Sequence, residues 1–155
     1  MKKYVLGFAF SADRSEALLI RKSHPAWQAG MLNGIGGHVE PGEEPIHAMV
    51  REFGEETGVT TVLDWEQVCI IYRLFDFECH VFRAIVPGSL DDTGYRTMTD
   101  EPVVKARLPL SPHELAIGNL HWLIPLCVDT NDGWEPYHVT GIIKQVGEVQ
   151  EESDE

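Results

Sequence analysis

Positive charge is scarce in this chain. Twelve Lys and Arg stand against 25 Asp and Glu, a formal net charge of −13. Such a surface repels phosphate backbones and anionic headgroups, which excludes a non-specific nucleic-acid or membrane-surface binder. Long apolar runs are lacking as well, and none approaches the ~20 residues that span a bilayer. The N-terminal stretch MKKYVLGFAFSADRSE has two lysines, but its apolar part is short, alternating and followed at once by charge. It reads as a first strand and not as a signal peptide. Cysteine is sparse and odd in number, and Cys69, Cys79 and Cys127 show no metal-type pairing. This argues against a disulfide framework and for small buried thiols in a reducing, cytoplasmic setting. No internal period is found, which excludes a repeat architecture.

What is present suits one folded unit. A length of 155 residues with 43% hydrophobic and 24% charged content is enough for a single substantial core. That domain is expected over 1–146. Residues 147–155 (GEVQEESDE) are poor in hydrophobes and rich in carboxylates, so a solvated, disordered tail is expected there. Val-, Ile-, Phe- and Tyr-rich runs predict strands at 2–10, 16–22, 66–74, 77–86, 103–108 and 137–146, the first two as a hairpin. Residues 23–31 (SHPAWQAGM) and 87–100 read as loops. Ser111, Pro112 and Glu114 form a helix-start signal. Two short helical pieces are therefore expected over 111–129, interrupted near Gly118 and Asn119, with Pro125 a kink or boundary. Strands around two helical regions imply an α/β or α+β fold with a mixed sheet between helices.

The chemistry concentrates at 37–59, GHVEPGEEPIHAMVREFGEETGV. Pro45 suits a first helical turn and Gly58 a left-handed stop, so a helix is predicted from 44 or 45 to 57. Ile46, Met49, Val50 and Phe53 fall on one face and should pack on a core. Glu52, Glu55 and Glu56 gather on another. Three neighbouring carboxylates repel one another. They fit either a solvated face partly offset by Arg51, or a site for a hard divalent cation that prefers oxygen ligands.

The spacing G-x5-E-x7-R-E-U-x-E-E-x-G-U, with U a bulky apolar residue, is filled by Gly37, Glu43, Arg51, Glu52, Phe53, Glu55, Glu56, Gly58 and Val59. At a background of about 5–7% per residue type, its seven fixed positions match by chance on the order of once in 10⁸ starts. The segment resembles the box of the Nudix (MutT-like) pyrophosphohydrolases, with Phe53 bulkier than the usual aliphatic residue. The resemblance sharpens the fold to a Nudix-type α/β/α sandwich with a mixed central sheet. It implies hydrolysis of a pyrophosphate bond in a small-molecule nucleotide, with Mg²⁺ as cofactor and Mn²⁺ as an alternative. The acidic charge argues for no nucleic-acid or membrane partner, and the oligomeric state, a homodimer included, stays open.

By the same resemblance, Glu52 and Glu56 are the main metal ligands, with Glu55 shared or on a second metal and the Gly37 carbonyl adding one oxygen. Arg51 orients a box glutamate. Glu52 or Glu101 is the general base, and Glu101 alternatively adds a metal ligand or is a plain loop carboxylate. Asn33 stands in an Asn-Gly-x-Gly-Gly run that faces the purine in one branch of the family, and otherwise supports a turn. Arg21, Lys22, His24 and Trp27 are either ordinary surface and loop residues or a nucleotide-facing rim. Asn119 and Trp122 are candidates for the base pocket, although Gly118-Asn119 departs from the aspartates used by the branch that clears 8-oxo-dGTP. The absence of a proline between Pro45 and Pro87, and of a tyrosine at 75–77, leans away from the ADP-ribose and diadenosine-polyphosphate branches. The favoured substrate is thus a (d)NTP or modified (d)NTP. ADP-ribose or another linked nucleoside diphosphate is the alternative, and a non-catalytic nucleotide sensor the second.

Overall fold

A computed structural model describes residues 1–73 and 76–129 and the backbone of 137–140. The 147–155 tail and the end of the predicted last strand lie outside the described residues. The strands are β1 (Lys2–Phe10), β2 (Glu16–Arg21), β3 (Leu32–Asn33), β4 (Ile35–His38), β5 (Glu66–Arg73), β6 (Phe77–Ile85), β7 (Val103–Arg107) and β8 (Tyr137–Thr140). Helix α1 spans Pro45–Thr57 and helix α2 Leu120–Asp129.

The strands form one mixed sheet in the order β3-β2-β1-β6-β5-β8, with β4 also on β1 and β7 also on β2. The predicted hairpin is present, with Ala9 opposite Leu18 and Phe10 opposite Ala17. β1 runs parallel to β6 and antiparallel to β4. Period-two alternation along β1 sends Phe8 and Phe10 to one face and Val5 and Ala9 to the other. The first face packs under α2 through Leu120, Leu123, Ile124 and Cys127. The second packs under α1 through Ala48, Met49 and Phe53. The sheet therefore lies between two helices, as an α+β sandwich.

Helix α1 starts and stops where its local signals place it. Pro45 occupies the first turn. Gly58 adopts φ 69° and donates its N–H to the Gly54 carbonyl at 2.9 Å, a left-handed cap that side chains with a Cβ resist. The region 111–119 corrects the expectation. Ser111 makes only a turn, its Oγ accepting from the His113 N–H. The chain then runs alongside Leu32, whose N–H donates to the Leu115 carbonyl at 2.8 Å and whose carbonyl accepts from the Ile117 N–H at 2.9 Å. Pairing with the sheet edge supplies the hydrogen bonds that a helix would have made, and one helix begins afterwards. Pro125 sits inside α2 rather than ending it. Buried Leu123, Ile124 and Cys127 hold that helix down, and arginines from distant elements satisfy its last carbonyls. Arg83 donates to the Cys127 carbonyl at 3.1 Å and Arg14 to the Val128 carbonyl at 2.6 Å.

The loop after β6 is more ordered than its composition suggests. Leu90–Thr93 forms a 3-10 turn with Ser89 and Asp92 capping each other's backbone, and Leu90 is fully buried. All three cysteines are free thiols. Burial pushes Cys69 up to about 11 and Cys79 up to about 12, so neither is poised for nucleophilic chemistry. Among the described residues no helix is long and apolar enough to cross a membrane.

Candidate active site

The carboxylates of α1 meet the glycine strand β4 at one end of the sheet. Gly37 pairs with Val5 of β1. A Cβ placed on Gly37 would fall 2.6 Å from the Glu52 carboxylate, so only glycine allows this approach. Arg51 organises the cluster. Its Nε and Nη2 donate to the two oxygens of Glu43, both at 2.9 Å, while Nη1 donates to Glu52 Oε1 at 2.7 Å and to Glu55 Oε2 at 3.4 Å. Nη2 also donates to the His38 carbonyl at 2.9 Å. The planar fork thus ties the strand, the turn and the helix together. Its bidentate partner is Glu43, and Glu52 takes a single bond. The Arg51 hydrogen bond, helped by the Glu40 N–H, holds the Glu43 carboxyl at about 2.

Glu56 is treated differently. Its Oε2 is buried with no hydrogen-bond partner. Burial pushes its pKa up to about 7, Lys22 opposes the rise, and the charges of Glu101, Glu52 and Glu55 add to it. An orphaned buried carboxylate oxygen is costly, and it calls for a proton or a cation. Glu55, by contrast, is mostly exposed.

Glu101 lies beside this group, almost fully buried at 4% exposure. Its Oε2 accepts from Lys22 Nζ at 2.7 Å. Its Oε1 accepts from the Ser23 N–H at 2.8 Å, the His24 N–H at 3.3 Å and the Ser23 hydroxyl at 3.3 Å. Burial pushes its pKa up, but Lys22 and the backbone N–H groups of Ser23 and His24 outweigh it, and the carboxylate stays ionised. Sequence reasoning named Lys22 and Glu101 separately and missed their pairing. The signal is faint: one ends a strand and the other precedes one, and only the β2–β7 register sets them face to face.

Of the remaining expected residues, Arg21, Asn119 and Trp122 lie on the α2 side, whereas Asn33, opposite Ile20, faces the α1 side. Arg21 turns away from Lys22, as alternation requires. It donates to the Gly30 carbonyl at 2.8 Å, lies 3.6 Å from Glu114, and lines a cleft of about 500 Å³ with Leu32, Val104 and Leu110. Asn33 accepts the Gly34 N–H at 2.8 Å through Oδ1, the turn-supporting role. Asn119 opens α2 with its carbonyl accepting from Trp122 and Leu123, yet its side-chain Oδ1 is buried and unpartnered. Trp122 is 39% exposed. The pairing of Leu32 with residues 115–117 brings the Asn33 and Asn119 segments side by side. Asp91, at the 3-10 turn, is paired with Lys105 at 2.8 Å.

A family model for the NUDIX domain matches residues 2–124. The chain belongs to the Nudix family. Its box helix, glycine strand and arginine clamp are the Nudix box in three dimensions. Solved Nudix and MutT structures share the fold at low identity. A Nudix hydrolase from Nitrosomonas europaea superposes with a TM-score of 0.65 at 16% identity, covering 90% of this chain and 79% of that one. A MutT protein from Methanosarcina mazei gives 0.59 at 20% identity, covering 80% and 90%. A MutT structure from a study of Aliivibrio salmonicida and Vibrio cholerae gives 0.55 at 22%, covering 68% and 79%. No curated protein matches the sequence.

Proposed function

We propose that this Nudix chain is a Mg²⁺-dependent nucleotide pyrophosphohydrolase that cleaves a (d)NTP, or a modified (d)NTP, to monophosphate and pyrophosphate. The observation that carries the reading is the buried, partnerless Glu56 Oε2, one helical turn from the Glu52 carboxylate that meets Gly37. Among the described residues no three carboxylate, His or Cys side chains already converge as a metal cage. Mg²⁺ does not require one, since it keeps several waters and is commonly held by one or two carboxylates plus substrate phosphates. Glu52, Glu56 and the Gly37 carbonyl are the proposed ligands, with Glu55 reserved for a second cation and Mn²⁺ able to substitute. When bound, the cation neutralises phosphate charge and lowers the pKa of water.

The chain's own residues supply the rest. Arg51 holds Glu52 by Oε1, which leaves Oε2 either to ligate the cation or, where Glu56 and the Gly37 carbonyl hold it, to take the proton of the attacking water. The water oxygen bonds to a phosphorus of the anhydride. The bridging P–O bond breaks, and its electron pair leaves on the departing phosphate group. Glu101 is the weaker base, because both its oxygens already accept hydrogen bonds. Asn33, opposite Ile20 on the α1 face, offers its Nδ2 donors to a base edge, and on the other face Asn119 carries an unpartnered Oδ1. Trp122 and Arg21 border that region.

Two measurements test this. Purified protein with Mg²⁺ is incubated with dNTPs, NTPs, 8-oxo-dGTP, ADP-ribose, nucleotide sugars and diadenosine polyphosphates. Monophosphate plus pyrophosphate from a triphosphate is the expected result. Cleavage of a linked diphosphate alone overturns the substrate class, and binding without turnover overturns the enzyme. The second measurement concerns pH. Folded Glu56 keeps a proton that the unfolded chain releases from its ordinary pKa of 4.5 upward, so metal-free protein loses stability as pH rises from about 4.5 to 7. Allowing for partial exposure, the loss is about 1–3 kcal/mol. A divalent cation binds the deprotonated form, so its stabilising effect grows over the same range. Melting temperatures in EDTA and in Mg²⁺ between pH 5 and 8 should diverge upward; parallel curves contradict the assignment.

A further inference from the structure

We propose that Glu101 is a positioning residue whose task is to hold the Lys22 ammonium off Glu56, keeping Glu56 Oε2 free for the divalent cation. This rests on the metal reading above and extends it to a residue outside the box. The geometry starts in the sheet. β2 and β7 pair from Glu16 opposite Arg107 to Ile20 opposite Val103, and the Arg21 N–H donates to the Pro102 carbonyl at 2.9 Å. One step further, Lys22 stands opposite Glu101 as a cross-strand charge pair. The Lys22 backbone is itself fixed, its N–H on the Met31 carbonyl and its carbonyl on the Gly30 N–H, both at 2.8 Å. Only its side chain has a choice of partner.

Two carboxylates compete for that ammonium. Lys22 acts on the charge of Glu56 as well as on that of Glu101, yet the hydrogen bond goes to Glu101 at 2.7 Å while Glu56 Oε2 accepts from no donor. Glu101 wins because it is built into place. The Ser23 and His24 N–H groups and the Ser23 hydroxyl converge on Oε1, which fixes Oε2 toward Lys22. Lys22, two residues after Ile20, faces α1 together with Glu101, and without the Glu101 charge its ammonium is left to the pull of Glu56. An ammonium bonded to Glu56 would occupy the oxygen that a cation needs, and would oppose a second positive charge there. The Glu101 hydrogen bonds also use both its oxygens, which suits an orienting group better than a ligand.

The experiment reads Mn²⁺ affinity, by electron paramagnetic resonance and calorimetry, with no substrate present. Glu101→Gln should weaken Mn²⁺ binding by about 10- to 100-fold, the size of effect seen when groups supporting metal ligands are lost. Lys22→Met alone should leave affinity equal to or tighter than wild type. The double variant Lys22→Met/Glu101→Gln should return to within about twofold of Lys22→Met, because the competing ammonium is gone. A double variant as weak as Glu101→Gln would show that Glu101 is itself a metal ligand and overturn the proposal. So would a Lys22→Met variant that loses affinity tenfold, a reading available even where the Glu101 variants do not fold. Melting curves recorded alongside separate loss of binding from loss of fold. Failure of the wild-type chain to bind Mn²⁺ would overturn the metal reading as well, whereas the first two results overturn this proposal alone.

Discussion

Glu56→Gln is expected to lower Mg²⁺-dependent turnover by more than about 100-fold, beyond the upper end of what losing a mere supporting group of a metal site costs. The change keeps the volume of the side chain and removes only its charge. In the folded protein the carboxyl is already pushed up to about 7 by burial and by Glu101, Glu52 and Glu55 against the pull of Lys22. The amide therefore resembles the protonated form that the metal-free site prefers, and the fold should persist. The same variant should flatten the pH dependence of stability in EDTA between 4.5 and 7, because the group that titrates there is gone. Steady-state kinetics and melting curves on one preparation check both. Near wild-type turnover with intact Mg²⁺ dependence would remove Glu56 from the catalytic centre.

Phe53→Ala carries the largest expected effect on stability, a loss of about 3–5 kcal/mol. Phe53 is 2% exposed and meets Trp65 edge to face with ring centroids 5.0 Å apart. It belongs to the apolar layer that fastens α1 to the sheet with Met49, Ala48 and Val59. A loss of that size is a large share of the roughly 5–15 kcal/mol that holds a domain folded. The bulk that departs from the usual aliphatic at this box position has a local explanation in the Trp65 ring, and the pair should couple by about 0.5–1.5 kcal/mol in a double-mutant cycle. Denaturant unfolding measures this. A shifted midpoint with an unchanged slope is expected, and a destabilisation under about 1 kcal/mol, the level of an ordinary substitution, would contradict the packing.

Much of the helix at the site is legible in the order of residues alone. Its signals are short-range: Pro45 in the first turn, Gly58 in the left-handed region, apolar residues three and four apart, and carboxylates on their own face. Each depends on neighbours within one or two turns, so α1 matches its predicted span. The strand pattern carries over for the same reason, because alternation is local. Residues 111–119 show where local reasoning fails. Ser111, Pro112 and Glu114 are a sound helix start in isolation, but hydrogen bonding to Leu32, far away in the chain, offers those residues another structure. The carboxylates of the box can be named from their spacing, but not told apart. Glu43 and Glu56 lie on the same segment, and one is held at about 2 while the other is pushed to about 7. Arg51 reaches the first, and burial isolates the second.

By itself, then, the amino-acid sequence determined the family, the helix with its caps, and the inventory of carboxylates, since all three are written in spacings of a few residues. Tertiary structure alone decided which oxygen is left without a partner, which arginines close α2, and that Lys22 answers to Glu101, 79 residues away. Those outcomes follow from sheet register. A shift of one residue in the β2–β7 pairing would turn Lys22 and Glu101 to opposite faces, and nothing local to either residue encodes that choice.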